Sequence, residues 1–458
     1  MSTVDVAIVG GGYAGLAVAH FARRRGLRPL VLERDERPGG KVLSRREAGA
    51  VVELGPLGFL DKEPAITEMA ADLGLRPVAA APAEKVRYLL HRGRITALPS
   101  GPWSFLTTPF LSPAARLRVL AEPFVPARRD GGDESARDFA RRRLGRGLAD
   151  AIFEPFVSGV YAGDPARLSA PAAFPLLAGW ERDHGSLTVG AIRHLRDRAR
   201  RRKAGEPVGS GRLCTFPGGL LELAEAGARS LGDAFRPGCA AAAARRDGGA
   251  WVVLDRAGAE LARAPELVVA CPAPAAAELL AAESPALAAA VAGVRGDPLC
   301  VVAALFRREQ VREDVDRGFG FLAARSEGFR PLGVQFAHAI FPDQTPAGLV
   351  QLRVLIGGAF DPEAHALDDA GLYEACYGPL RGLLGLAGEP LRTWTRRVMG
   401  GVPQYELGHL ERMATVAAEA DRLGGLHFAG DSFGGVGVVK AFARARAVAA
   451  ALRGGGGS

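Results

Sequence analysis

The sequence predicts an α/β protein: a discontinuous Rossmann-like dinucleotide-binding domain that carries a second, inserted sheet. Three observations predict it. A β-branched run over residues 4–9 leads into Gly10-Gly-Gly12-Tyr-Ala-Gly15. A late strand over 426–429 ends in Gly430-Asp431 and opens another glycine-rich helix start. Between these ends lie strand-like runs at 297–306, 319–323, 332–336 and 350–356, bounded by turn residues.

Each element of the nucleotide fold has a physical reason. Residues 4–9 are apolar enough for a strand buried on both faces. Gly10 makes the tight turn, Gly12 lets backbone approach a pyrophosphate, and Gly15 lets the following helix pack on the sheet. Gly11 and Ala14 complete the loop, and residues 13–25 form a helix whose positive end faces phosphate. The second strand, 29–33, ends in Glu33, about 20 residues past the glycines, where an acid accepts hydrogen bonds from a ribose.

The next segments favour FAD over NAD. Arg37-Pro-Gly-Gly-Lys41 places a glycine pair just after the acid, so Gly39 and Gly40 offer backbone N–H groups and Lys41 or Arg34 offsets charge. Gly55-Pro56-Leu57-Gly58 supplies another tight turn for close approach to a flavin. Gly430 ends the late strand, and the helix from about 437, entered through Val436-Gly437-Val438, turns its positive end toward the flavin. Asp431 either accepts from the ribityl chain or caps a helix. Taken alone, each glycine pair is a turn.

Composition narrows the classes. The chain has 458 residues, 48% hydrophobic and 24% charged, enough for two or three domains. The formal charge is +8, almost all of it from arginine, since lysine stands only at 41, 62, 85, 203 and 440. That excess fits a compositional bias or attraction to an anionic substrate or membrane surface. No nucleic-acid motif accompanies it, and no nucleic-acid partner is expected. The five cysteines and eight histidines show no metal spacing, so no metal site is expected. The alanine-rich stretch 267–294 carries Pro272, Pro274, Glu278 and Glu283 and does not read as a transmembrane helix. The first strand starts too early for a signal peptide, and a cytoplasmic location is expected. Residues 454–458 read as a linker or tag remnant.

In the middle of the chain, residues 96–206 are rich in proline, arginine and helix formers. The run 193–203 reads as a solvated cationic face or a contact with anionic lipid. Trp103, Phe105, Phe153 and Phe156 read as core, with an apolar rim as the alternative. Residues 211–275, with strands at 250–254 and 266–270, return to the nucleotide domain.

More specific than the glycines are Pro155-Phe-Val-Ser-Gly-Val-Tyr-Ala-Gly-Asp-Pro165 with Leu168-Ser169, Phe319-Gly-Phe-Leu322, Ile356-Gly-Gly358, and Val402-Pro-Gln-Tyr-Glu-Leu-Gly-His409. Through these segments the chain resembles, over residues 3–450, the oxygen-dependent protoporphyrinogen oxidases of the flavin amine oxidase superfamily. The resemblance implies an FAD-binding domain (1–80, 207–275, 394–453), a substrate domain with an antiparallel sheet (81–95, 276–393) and a helical membrane-associating domain (96–206). It implies non-covalent FAD and oxidation of protoporphyrinogen IX to protoporphyrin IX, with molecular oxygen as acceptor and hydrogen peroxide as by-product. The protein would lie peripherally on the inner face of the cell membrane; a homodimer is compatible. Carried across, Arg87 matches a propionate-binding arginine, Gly159 a pocket glycine, and Phe319, Leu322 and Leu355 the apolar residues around the macrocycle. Ala241 and Trp394 fall beside the cofactor in the family, although valine is commoner at the first. Position 41 varies there.

No catalytic base stands out; His409 sits in a setting that suits a structural turn. Coproporphyrinogen III, with four propionates, is the nearest rival substrate and would want a wider, more cationic pocket. An amine oxidase of this superfamily holds a lysine near the flavin, and no lysine lies between 203 and 440. A polyene desaturase is disfavoured by the porphyrinogen-type segments. An FAD-binding scaffold or redox-responsive binder without turnover is the alternative from another class.

Overall fold

The computed structural model describes residues 4–128, 131–206, 209–312 and 317–453. The 454–458 segment, read as a linker remnant, lies outside them. The chain divides into two compact units: residues up to Ala79 with Ser210–Arg295 and His409 onward, and Ala80–Gly209 with Gly296–Gly408. Residues 276–295 therefore fall with the first unit and 394–408 with the second.

The first unit is built on a five-stranded parallel sheet in the order 235–236, 29–32, 6–9, 266–269, 426–428. The strands Val6–Val9, Pro29–Leu32 and Glu266–Val269 are buried at every position, as parallel strands covered on both faces must be. The helix Tyr13–Arg24 buries Leu16, Ala17, Val18 and Phe21 with Phe442 and Ala445 of the helix Val438–Ala451. From the 6–9 strand the chain adds 29–32 and 235–236 on one side and then 266–269 and 426–428 on the other, which makes its carboxyl end a topological switch point, the place where open α/β sheets bind ligands.

The second unit carries a seven-stranded sheet in the order 392–398, 299–307, 349–357, 333–336, 320–323, 88–91, 94–97. It is antiparallel as expected except where Tyr88–His91 pairs parallel to Gly320–Ala323, two strands brought together from distant parts of the chain. One face is core. Val302, Ala304, Phe306, Phe321, Val334, Phe336, Leu352 and Val354 pack there with Leu372, Tyr377, Leu380 and Leu384 of the helix Asp369–Leu384. Each fully buried leucine contributes about 2 kcal/mol relative to exposure.

The helices of 102–203 belong to the same unit. A buried charge cluster anchors them. Glu122 accepts from Leu187 N (2.8 Å), Thr188 N (3.0 Å) and Ser186 Oγ (2.7 Å), satisfying the N-terminus of the helix Leu187–Lys203. Fully buried Arg143 donates to Glu122, and Arg142 bridges Glu134 and Glu181. Two aromatics read as core are not buried: Trp103 is 77% and Phe156 42% exposed, whereas Phe153 and Phe105 pack partly into apolar clusters. The run 193–203 is helical and mostly exposed. His409 opens the helix His409–Leu423 and is buried. Among the described residues, no helix is long and apolar enough to cross a membrane.

Candidate functional site

At the end of the first strand the chain turns through Gly10, whose φ of 113° suits only glycine and whose Cβ would lie 2.9 Å from the Ala270 carbonyl group. A Cβ on Gly15 would meet Gly10 O at 1.9 Å, so the helix sits tight on the turn. Gly11 N donates to Glu33 Oε2 at 2.6 Å, and Asp35 N donates to Glu33 Oε1 at 2.9 Å. Glu33 is thus buried and held by backbone N–H groups on both oxygens. Gly39 N, expected to face phosphate, instead donates to Gly11 O at 2.9 Å and knits the two glycine turns together. A Cβ on Gly12 would find nothing nearer than Gly40 at 3.8 Å.

The later turn completes the same unit. Lys41 Nζ meets Asp431 Oδ2 at 2.8 Å, an ion pair between residues 390 positions apart. Gly430, at φ 104°, is the N-cap of the short turn Asp431–Gly434, so Asp431 is its first residue rather than its cap. Ala14 lies in the first turn of the first helix, its Cβ 3.8 Å from a Cβ built on Gly430. Val436 is half-buried, Gly437 is exposed, and Val438 begins the last helix.

Other expected residues have different settings. Arg34 lies largely in solvent beside Asp35, at 3.3 Å. Gly55 and Gly58 permit close approach to the protein's own backbone: added Cβ atoms would lie 2.3 Å from Lys41 O and 2.7 Å from Cys214 O. Pro56 is half-buried and Leu57 buried between them. Ala241 is half-buried in the stretch after Cys239, whose N–H donates to Glu33 O at 2.8 Å. Trp394 belongs to the second unit, on the edge strand Arg392–Val398 opposite Ala303. Burial pushes the Cys271 thiol up to about 12, which keeps it protonated and unreactive at neutral pH.

The donor set fits a flavin dinucleotide. The helices that begin after Gly12 and Gly437 have no side-chain cap and no acid in their first turns. Their free N–H groups and positive ends suit a pyrophosphate and a group that gains negative charge. Glu33 suits a ribose, and Lys41 with Asp431 supplies a cation and an acceptor at the rim.

The second unit brings together most of the residues expected to meet substrate. Register places Leu89, Leu322, Gly333, Leu355 and Val301 in one row across five strands, on the face away from the core. Gly159, on the helix Glu154–Tyr161, lies against this row; a Cβ there would meet Leu322 Cδ2 at 2.4 Å. A π-helical turn, Ala149–Phe153, precedes that helix. Arg87 lies one residue before the sheet, with its guanidinium 4.5 Å above the Phe319 ring and 3.6 Å from Glu84. Its side chain is about half exposed, at 49%.

Sequence reasoning missed the polar residues of the same face. Arg353 is only 3% exposed and donates to Gln335; Arg396 stands opposite Val301. The signal was present: in the strand Leu349–Gly357, apolar residues at 350, 352, 354 and 356 alternate with Gln351 and Arg353.

The sequence profile of a family described as flavin containing amine oxidoreductase matches residues 13–453. The chain is 31% identical over 457 residues to the chloroplastic protoporphyrinogen oxidase of Oryza sativa subsp. japonica, covering 95% of this chain and 85% of the relative. It is also 31% identical over 492 residues to the coproporphyrinogen III oxidase of Propionibacterium freudenreichii, covering 97% and 90%. A crystal structure from Exiguobacterium sp. 255-15 superposes with a TM-score of 0.82 at 24% identity, covering 99% of each chain, and so shares the fold.

Proposed function

Because the chain belongs to the family of flavin-containing amine oxidoreductases, we propose that it is an FAD-dependent oxidase that removes six electrons from a porphyrinogen to give the porphyrin. FAD, when bound, would supply a two-electron acceptor that molecular oxygen reoxidises, so the balance would be three O₂ consumed and three hydrogen peroxide molecules released per porphyrin. The observation that carries this reading is the apolar row Leu89–Leu322–Gly333–Leu355–Val301, with Gly159 against it and Arg87 beyond its edge. Leu322 and Leu355 in it are half-buried, while Leu89 packs against Phe110 and Leu111; an apolar face with a cation at its margin suits a large apolar ring bearing carboxylates.

The residues of the second unit bind and orient. Arg87 presents a planar fork that pairs with a carboxylate in two parallel hydrogen bonds, and Phe319 holds that fork flat. Leu322 and Leu355 exclude water from the ring, and the absence of a side chain at Gly159 lets its helix close onto Leu322. Chemistry of this kind depends on positioning the reacting C–H bond, and no side chain is assigned as an acid or base. The first unit holds FAD, non-covalently in this reading, through its backbone N–H groups, Glu33 and the Lys41–Asp431 pair.

The names of the rice and Propionibacterium relatives support a porphyrinogen as substrate. Protoporphyrinogen IX is the substrate that the sequence motifs favour, and coproporphyrinogen III is the second reading. The test is aerobic turnover of the purified, FAD-loaded protein. Porphyrin fluorescence should rise while three O₂ are consumed for each porphyrin formed; no porphyrin from either substrate would refute the proposal.

A peripheral membrane contact on the cytoplasmic side is part of the same reading. Trp103, Leu117, Leu120 and Phe124 are exposed, the last by 87%, and the helix Leu187–Lys203 ends in Arg200, Arg201, Arg202 and Lys203. Anionic liposomes should sediment the protein at low salt and release it as salt rises; no sedimentation at low salt would remove the membrane contact.

A further inference from the structure

Four sequence segments, 155–169, 319–322, 356–358 and 402–408, meet around the helix Glu154–Tyr161. From the second, Leu322 lies against Gly159, where an added Cβ would find its methyl carbons at 2.4 and 2.9 Å. From the third, Gly358 lies against Ala162, which closes the helix in the left-handed region at φ 51°. Such a conformation persists at alanine only where its neighbours fix it, and Ala359 N donates to Ala162 O at 2.8 Å. From the fourth, Gln404 donates through Nε2 to Tyr161 O and to Val402 O, each at 2.8 Å. Gln404 is buried, and its Oε1 faces Gly163, where an added Cβ would lie 2.1 Å away. The segment that carries Gln404 is itself pinned. Ser169 N donates to Tyr405 O at 2.8 Å, Leu407 N donates to Arg167 O at 2.9 Å, and Arg167 pairs with Glu406 at 2.6 Å. Asp133 accepts from Ser169 Oγ at 2.6 Å and from Gly408 N at 2.8 Å.

We propose that Gln404 is a positioning residue for the oxidation: by holding the carbonyl end of the helix Glu154–Tyr161, it sets how closely Gly159 closes onto Leu322, and so where Leu322 stands against the ring. The inference rests on the porphyrinogen reading above. Its logic is that of a helix end. The last carbonyls of a helix have no partner within it. Here a side chain from a distant segment answers Tyr161, and the backbone after the strand Leu349–Gly357 answers Ala162. Gly159 lies two residues before Tyr161 and has no side chain to hold the helix off the sheet. The spacing at Leu322 is therefore set by what fixes the helix, and each link from Gln404 through Tyr161 and Gly159 to Leu322 is a direct contact or one turn of backbone. A primary amide suits this task. One of its N–H groups reaches the helix while the other reaches Val402 in its own segment, which locks the side chain in place. An apolar residue of the same length fills the same space but makes neither bond.

The test measures KM, kcat and flavin content separately for FAD-loaded wild type, Gln404→Met, Gly163→Ala and the double variant, with protoporphyrinogen IX and with coproporphyrinogen III. Gln404→Met should raise KM about tenfold, with kcat within about twofold and flavin content unchanged. The ring is common to both substrates, so the rise should be similar for each one the wild type oxidises. Gly163→Ala keeps every donor but pushes on the far end of the Gln404 side chain, and Gly163 has no positive φ that would strain alanine. It should reproduce the rise in KM, and the double variant should be no worse than the larger single effect. Glu122→Gln, which loosens the same unit at its buried charge cluster, is the control and should leave KM within about twofold of wild type. An unchanged KM in both Gln404→Met and Gly163→Ala overturns the inference and leaves the porphyrinogen reading standing. So does an equal rise in Glu122→Gln, which would make Gln404 a stabilising residue only. If Gln404→Met does not fold, Gly163→Ala decides. Turnover of neither substrate by the wild type would bring down the underlying reading, and this inference with it.

Discussion

The two units make their sites from different materials. In the first, the groups aimed at a ligand are mostly backbone: the uncapped N–H groups after Gly12 and Gly437, and turns shaped by Gly10 and Gly430. In the second, they are side chains standing in rows on a sheet: Leu322 and Leu355 in one row, Gln335 and Arg353 in the next. A backbone site is all or nothing, because its geometry is shared with the fold. A side-chain site is graded, and one residue can change what binds without unmaking the surface. Substitutions in the two units should therefore fail in different ways.

The largest effect is expected in the first unit. Gly15→Ala places a Cβ 1.9 Å from Gly10 O, a backbone atom that cannot move without opening the turn. It should cost about 3 kcal/mol or more and abolish FAD retention, read from thermal unfolding and the absorbance of the purified protein. A variant that keeps its flavin would break the comparison.

Next is the charge cluster of the second unit. Burial pushes the Glu122 carboxyl up, but hydrogen bonds from Thr188 and Leu187 N–H and the Ser186 hydroxyl outweigh it and hold it at about 2. A carboxyl depressed on folding stabilises the protein above its unfolded value near 4.5 and loses that contribution as pH falls toward 2. The advantage of wild type over Glu122→Gln, about 3 kcal/mol at neutral pH, should shrink across that window in pH-dependent unfolding. A gap that does not change with pH would remove the ionised Glu122 from the account.

Arg87→Ala sharpens the contrast with Gly15→Ala. It should raise KM about tenfold with flavin content intact. An unchanged KM would remove the carboxylate role. The smallest effect belongs to Lys41→Met. The ion pair with Asp431 is partly exposed, 29% and 28% for its two side chains, so its loss should weaken FAD binding by about 1 kcal/mol or less. Fluorescence titration would measure this, and a larger loss would show that Lys41 acts on the cofactor beyond its pairing with Asp431.

The same difference explains what could be read from sequence. The glycine spacing, Glu33 and the Gly430-Asp431 turn were legible because a backbone site constrains residue type at each position. The main strands were legible from their alternation, and 250–254 falls on Ala250–Leu254. The destination of the Gly39 N–H was not, since which acceptor an amide reaches depends on packing between turns. Trp103 and Phe156 read as core because large aromatics usually are, and nothing local marks a helix whose apolar face stays exposed. The alignment of Arg87 with Gln335 and Arg353 escaped because register between the strand Tyr88–His91 and strands from a distant part of the chain is not written in either segment. Glu122 and Arg143 escaped for the same reason: two charges 21 residues apart, buried only by helices that fold around them.

The most direct test of the central claim is anaerobic. FAD-loaded protein is mixed with porphyrinogen at one molecule for every three flavins, and the oxidised-flavin absorbance is followed. The account predicts complete bleaching with one porphyrin formed for every three flavins reduced, and recovery of the colour on admitting oxygen. A flavin that stays oxidised in the presence of both porphyrinogens would contradict it.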